Sequence, residues 1–283
     1  MSWIAVARKD FRDAIRSRMF LALAVVFGLF AVAIGGVYGY FDVFRDAGAA
    51  NQGLILVSFV ATPVSLFVTL TAVIIAHKAV VGERANGSLK ILLSLPHTRL
   101  DVIVGKIVGR SLVLAVPALL SLVVGVGVGA ALIGDLAPLP LLALLGAMVV
   151  LIVTYVSLMV GLSSMTSSTS LATAGAVGYF VVFELLWGTI GQVVLLVRDY
   201  NPLDPPNWYF LYQNVPPGSA FNTILGEVLS SLAEAERTVT EVAAIGQSYD
   251  AAYASPWVAA VILLLWIVVP VAIGYWRFSN ADL

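Results

Sequence analysis

The chain has 283 residues, of which 60% are hydrophobic and only 11% charged, with a mean hydropathy of +1.00. A soluble domain carries about a quarter charged residues, so the composition disfavours a soluble enzyme, a nucleic-acid binder and a disordered chain, and leaves a membrane-embedded protein. A net charge of −1 offers no basic field to nucleic acid, and the lack of cysteine with only 2 histidines argues against disulfides, a thiolate metal site, a cysteine nucleophile and a histidine-rich metal centre.

Residues 2–18 read as an amphipathic helix. Trp3, Ile4, Ala7, Phe11, Ala14 and Ile15 share one side, and Arg8, Lys9, Asp10, Arg12, Asp13 and Arg16 take the rest. Such a helix lies in the membrane interface, apolar face down, either as a topology anchor or also as a contact for a cytoplasmic partner. An uncharged apolar run of about 20 residues crosses a bilayer as a helix. Six such runs follow, at 19–41, 54–76, 111–134, 139–162, 171–197 and 256–276, the fourth and fifth separated by a Ser/Thr-rich break at 163–170. The first run is longer than the core of a cleavable signal. Of the 15 Lys and Arg, all but Arg45, Arg198 and Arg237 fall on one side, which makes that side cytoplasmic and places both termini there. The sequence thus predicts an all-α integral membrane protein: an interfacial helix at 1–18, spans one to five with a connecting loop at 77–106, an outer segment at 198–255, and a sixth span with a cytoplasmic C-terminus.

Span two carries Ser58, Thr62, Ser65 and Thr69 along one face, a hydroxyl stripe that either wets a transport path or holds neighbouring helices. Glu184 is the ionisable residue well inside a span. It either lines the path or carries a proton, or it is a protonated acid bonded to a neighbouring helix. The glycine pairs Gly35/Gly39, Gly105/Gly109 and Gly125/Gly129 read as close helix contacts. In the outer segment, residues 201–210 are rich in Pro and aromatics and are expected to rest on the outer leaflet. Phe221, Leu225, Val228, Leu229 and Leu232 then recur at helical spacing and predict an amphipathic helix over 220–235, lying on the membrane or dipping into it.

The inner loop holds the most specific pattern. Between Gly87, a backbone break, and Pro96, a helix terminator, sits a helix of about two turns whose apolar face is Leu89, Leu92 and Leu93. A helix that short is unstable alone in water, so it needs a surface: a groove on another protein or the inner leaflet. Thr98 and Asp101 form a capping-box variant that starts the helix leading into span three.

This stretch resembles the inner loop of ABC-2 type transporter permeases, in which Glu-Arg-x-x-Gly-Ser/Thr-Leu-x-x-Leu-Leu-Ser/Thr-x-Pro-x-Ser/Thr-Arg is followed by Gly-Lys. Glu83, Arg84, Gly87, Ser88, Leu89, Leu92, Leu93, Ser94, Pro96, Thr98, Arg99, Gly105 and Lys106 match, while Lys90 stands where an acid is frequent. The interfacial helix, six spans and large outer segment extend the likeness over nearly the whole chain. The Pro-rich outer segment is most similar to permeases associated with maturation of copper enzymes such as nitrous-oxide reductase.

The resemblance implies a permease subunit of an ATP-driven transporter, an exporter in the plasma membrane, paired as a homodimer. A cytoplasmic ATPase subunit would dock on Glu83, Arg84, Gly87, Ser88, Leu89, Leu92, Leu93, Pro96 and Arg99. It also implies a central path to which spans two and five contribute, through Ser58, Thr62, Ser65, Thr69 and Glu184. ATP and Mg would belong to the partner, since the chain has no Gly-x-x-x-x-Gly-Lys-Ser/Thr. No catalytic residue, metal site or bound cofactor is expected on this chain, and membrane lipid is its other partner. Two other readings stay open at this stage: a proton- or ion-coupled carrier using Glu184, and a non-transporting anchor for an outer assembly.

Overall fold

The computed structural model describes residues 3–41, 52–95, 98–202, 204–235 and 255–281. Within them the chain is helical throughout. Six helical stretches are long and apolar enough to cross a membrane, each over one of the six apolar runs. In chain order the elements are α1 (Trp3–Ile15), α2 (Arg18–Tyr40), α3 (Gln52–Ala76), α4 (Val81–Ala85), α5 (Ser88–Ser94), α6 (Arg99–Ile133) and α7 (Pro138–Ser164). There follow α8 (Thr169–Tyr179), a π-helical turn (Phe180–Leu186), α9 (Trp187–Val197), α10 (Asn207–Asn214), α11 (Pro217–Ala235) and α12 (Pro256–Ser279). The Ser/Thr-rich break ends α7, and Ser168 caps α8 by accepting the Leu171 N–H. Pro96 and His97 lie outside the described residues, as do 42–51 and 236–254.

The backbone of the architecture is α6. Its 35 residues run about 52 Å against a hydrocarbon core of about 30 Å. Arg99, Asp101, Lys106 and Arg110 all fall in its first turns, so the surplus length stands at that end, in the headgroup layer and beyond. The expected Thr98–Asp101 capping box is present and starts the helix 12 residues before the apolar run.

Both α1 and α2 run parallel to α6 along its length. A Cβ added to Gly105 would meet Val6 and Trp3, and one on Gly109 would meet Asp10 and Ala7. Farther along, Gly125 touches Ala31, Gly129 touches Gly35, and Gly39 faces Leu132. At the closest approach a Cβ on Gly35 would lie 2.0 Å from the Gly125 carbonyl oxygen. The three glycine pairs are therefore contact points where backbones meet.

That contact also corrects the reading of α1. Its face toward α6 carries Val6, Ala7 and Asp10, all buried, while Trp3, Ile4 and Ile15 stay exposed. The reason is local: bare backbone at Gly105 and Gly109 admits α1 closely, and Lys106 between them attracts Asp10, a residue that periodicity assigned to the polar side.

At the opposite end, α10 and α11 form a hairpin that dips into the bundle. Of the periodic residues, Phe221, Leu225 and Leu229 are buried as expected, Leu232 is half-buried and Val228 is exposed; Ala220 is buried beside them. The helix packs on α12, α7 and α3. The bend at Val215 accepts the indole N–H of Trp266 at 2.7 Å. Trp266 lies ten residues into α12, about 15 Å along it, so the bend reaches mid-span. The aromatic stretch leads into this insertion, with Trp208 exposed. Trp187 Nε1 donates to the Tyr212 carbonyl at 2.9 Å, and the Tyr212 hydroxyl donates back to the Trp187 carbonyl at 2.8 Å. Their rings stack at 4.5 Å. These reciprocal bonds fasten α10 to the start of α9.

Candidate functional site

Two regions collect the residues that sequence reasoning singled out. The first is the charged end, where α4 and α5 bridge α3 and α6. Gly87 adopts φ 79°, a left-handed conformation natural to glycine, and turns the chain between the two short helices. Ser88 donates from Oγ to Asn86 Oδ1 at 2.7 Å, and its N–H reaches the same oxygen at 3.0 Å, so the turn holds itself. From the far side, Ser163 Oγ accepts the N–H groups of Val80 and Val81, both at 3.1 Å, anchoring the entry to α4 on α7.

Beneath the short helices lies a buried network of charges. Lys106 Nζ reaches Glu83 Oε1 at 2.5 Å and Asp10 Oδ1 at 3.0 Å, and Arg110 Nε approaches Asp10 Oδ2 at 2.9 Å. Side-chain exposure is 3% for Lys106 and 6% for Asp10. Two carboxylates and two cations balance, and they tie α1, α4 and α6 into one body. Asp101 adds a tether by accepting the Trp3 N–H at 3.1 Å.

The structure sorts the expected docking residues. Leu89 and Leu92 are buried in the chain's own apolar core, with Leu93 half-buried against it. They hold α5 down and are not its free face. The apolar side chains that α5 and its end present outward are Ile91, 70% exposed, and Leu95, 52% exposed. Arg99 is also engaged within the chain: its guanidinium donates to the carbonyls of Phe278 and Ala281 and lies over the Phe278 ring, clamping the end of α12. Glu83 faces Lys106, and Arg84 lines a cavity beside the α12 terminus. Pro96 lies outside the described residues.

The second region is mid-membrane. Glu184 sits in the π-helical turn and accepts the Tyr155 hydroxyl of α7 at 2.6 Å. Thr69 lies beside the same hydroxyl, so one residue of the α3 stripe joins the cluster. Tyr179 packs edge-on to Tyr155, and its own buried hydroxyl makes no hydrogen bond. The inserted hairpin closes the cluster: a Cβ on Gly218 would lie 3.2 Å from the Tyr155 oxygen and 3.5 Å from Glu184 Oε2. The rest of the stripe stays apart. Ser58 donates to the Leu54 carbonyl at 3.0 Å, Ser65 to Thr62 at 2.8 Å and Thr69 to Ser65 at 2.9 Å, while Thr62 is exposed.

Asp10, Arg110, Tyr155, Tyr179, Gly218 and Trp266 escaped the sequence reading of the site. Only Lys106, in its Gly-Lys pair, pointed toward one of them. Among the described residues no group of three or more His, Asp or Glu is placed to hold a metal.

Comparison with known proteins agrees with this arrangement. A family model described as "ABC-2 family transporter protein" matches residues 4–283. The chain is 32% identical over 214 residues to the "Probable ABC transporter permease protein NosY" of Pseudomonas aeruginosa, covering 71% of this chain and 73% of that protein. It is 34% identical over 122 residues to the protein of the same description from Stutzerimonas stutzeri, covering 41% of each. With a match over nearly its entire length and a bundle of six membrane-spanning helices, the chain belongs to the ABC-2 family of transporter proteins.

Proposed function

We propose that the chain is the permease subunit of an ATP-driven exporter, paired with a second copy in the plasma membrane and worked by a separate cytoplasmic ATPase that docks on α5. The observation that carries this reading is the outer face of α5. A seven-residue helix, held by Leu89 and Leu92, presents Ile91 and Leu95 to the outside at the cation-rich end of the bundle. A short helix with an apolar tip suits a groove on a partner protein. Force applied there has a rigid way inward, because Glu83, Lys106 and Asp10 couple α4 to α6 and α1. The NosY relatives support the same reading, and the chain has no phosphate-binding loop of its own. Glu184 and Thr69 then lie where spans two and five face each other, beside the proposed path.

The test separates the two faces of α5. Ile91→Asp leaves the permease monodisperse in detergent and lowers co-purification of the cognate ATPase subunit by about tenfold or more, the loss of one interface anchor. Leu92→Asp instead buries a charge and damages the permease itself. Full ATPase recovery with Ile91→Asp removes α5 from the docking role.

A further inference from the structure

The last carbonyls of α12 are held by a side chain that comes from neither α12 nor its main packing partner. The helix packs along α7, yet the guanidinium at its end belongs to Arg99, the first residue of α6, just beyond Leu95 at the end of α5. Arg99 donates to the Phe278 carbonyl and to that of Ala281 at 3.0 Å, with its charge 5.3 Å from the centre of the buried Phe278 ring. The Thr98–Asp101 capping box fixes the turn from which it reaches. We propose that α12 is a lever, with Arg99 the positioning residue that ties a shift at the α5–α6 junction to the seat of the α10–α11 hairpin on Glu184.

The pivot is on α7. A Cβ on Gly161 would lie 2.6 Å from the Pro270 carbonyl, and one on Gly274 would lie 2.6 Å from the Gly161 carbonyl oxygen. Backbone against backbone leaves no long side chain to absorb a tilt. One arm runs from Gly274 to Phe278, about 6 Å, and ends in the clamp. The other runs from Pro270 back to Trp266 and Ala259, about 6 and 16 Å away, and carries the hairpin. Trp266 holds the bend at Val215, while Ala259 and Leu263 bury Ala220 of α11. The helix is continuous over Pro256–Ser279, and a rigid element of this kind carries coupling between its ends. The arm at the hairpin is at least as long as the arm at the clamp, so a tilt arrives there undiminished. On the hairpin's other side, Gly218 rests on Tyr155 of α7 and Glu184 of the π-helical turn, neither of them part of α12. Tilting α12 therefore changes the contact at Glu184.

The coupling is measured on the permease alone, so it stands or falls apart from the docking of any ATPase. The probe is the rate of thiol labelling of Gly218→Cys in the full chain in detergent, with Arg99 or Arg99→Met and with Trp266 or Trp266→Phe. Arg99→Met raises the rate about fivefold, the lower bound of a typical coupling between distant sites, and Arg99→Lys gives an intermediate rate. Distant residues that share no partner act additively, whereas two points on one lever do not: with Trp266→Phe already present, Arg99→Met adds little. Ser121→Cys, buried in α6, labels at the same rate with Arg99 and with Arg99→Met. An unchanged rate at Gly218→Cys in both Arg99 variants overturns the proposal, as do effects of Arg99→Met and Trp266→Phe that simply multiply. An equal rise at Ser121→Cys assigns Arg99 to general stability and overturns it too.

Discussion

The charged end and the mid-membrane cluster both bury carboxylates, and they do so by different means. Around Lys106, two carboxylates meet two cations, so the charges cancel within one shell of contacts. Around Glu184, the described neighbours supply no cation. A phenolic hydroxyl donates to the acid, a second lies close by, and aromatic rings fill the surroundings. The contrast follows from depth. Near the headgroups, ion pairing is supported by nearby water and by further polar partners, while in hydrocarbon a lone charge is costly and neutral donors are the cheaper company. The first region therefore acts as a rigid joint sensitive to charge, and the second as a hydrogen-bonded contact sensitive to donors.

The largest effect should come from removing the central cation of the joint. Lys106→Met leaves Asp10 buried with only Arg110 and Glu83 with no cation at hand, and breaking a buried pair in this way costs about 3–5 kcal/mol. The unfolding midpoint in detergent should fall, and trypsin should cut faster at Arg8 and Arg12 as α1 leaves α6. Lys106→Arg should recover part of the loss. If Lys106→Met cleaved and melted like wild type, the network would hold nothing, and the contrast between the regions would collapse.

A smaller effect is expected from the hydrogen-bonded contact. Tyr155→Phe removes the donor to Glu184 without changing the ring, and leaving a buried polar group short of its partner costs about 1–3 kcal/mol. Because Gly218 of the inserted hairpin rests on this pair, the loss should loosen the hairpin first. The chain lacks cysteine, so a single Gly218→Cys introduced into each background reports that opening by its rate of thiol labelling. Equal labelling rates with Tyr155 and with Phe would show that the hairpin is held by other contacts, such as Trp266 to Val215.

Much of this is legible in the sequence alone. The six spans follow from runs of uncharged residues, because a bilayer leaves few other ways to satisfy that composition. The Thr98–Asp101 cap and the three glycine contacts also follow from local rules that tertiary packing did not override. What escaped depends on partners distant in sequence. Asp10 reads as surface because helical periodicity cannot see Lys106, 96 residues away. The sequence reading put the outward face of α5 on Leu89, Leu92 and Leu93, whereas Leu89 and Leu92 are buried and Ile91 and Leu95 are exposed; Ile91 and Leu95 are as apolar as that buried pair, and a two-turn helix gives periodicity too little length to choose. The π-helical turn at Glu184 has no signature among the apolar residues around it. The depth of the hairpin rests on contacts such as Trp266 to Val215 and Gly218 to Tyr155, between segments that sequence spacing does not relate.

The finest discrimination comes from removing charge while keeping shape, once in each region. Glu83→Gln takes a negative charge from beside Lys106 and leaves Asp10 as the one carboxylate on that ammonium. Hydrogen bonds to charged groups contribute about 1.5–3 kcal/mol, and the melting midpoint should drop accordingly. Glu184→Gln keeps a carbonyl oxygen in place to accept the Tyr155 hydroxyl, so the same isosteric change should alter stability by less than about 1 kcal/mol. Glu184→Leu, which has no acceptor, should behave like Tyr155→Phe. If Glu184 serves the proposed path, transport should respond to Glu184→Gln more than stability does, because the substitution keeps the hydrogen bond to Tyr155 and removes the ionisable proton. Matching losses of stability in Glu83→Gln and Glu184→Gln would mean that Glu184 is held by its charge after all, and the two regions would be one design at two depths.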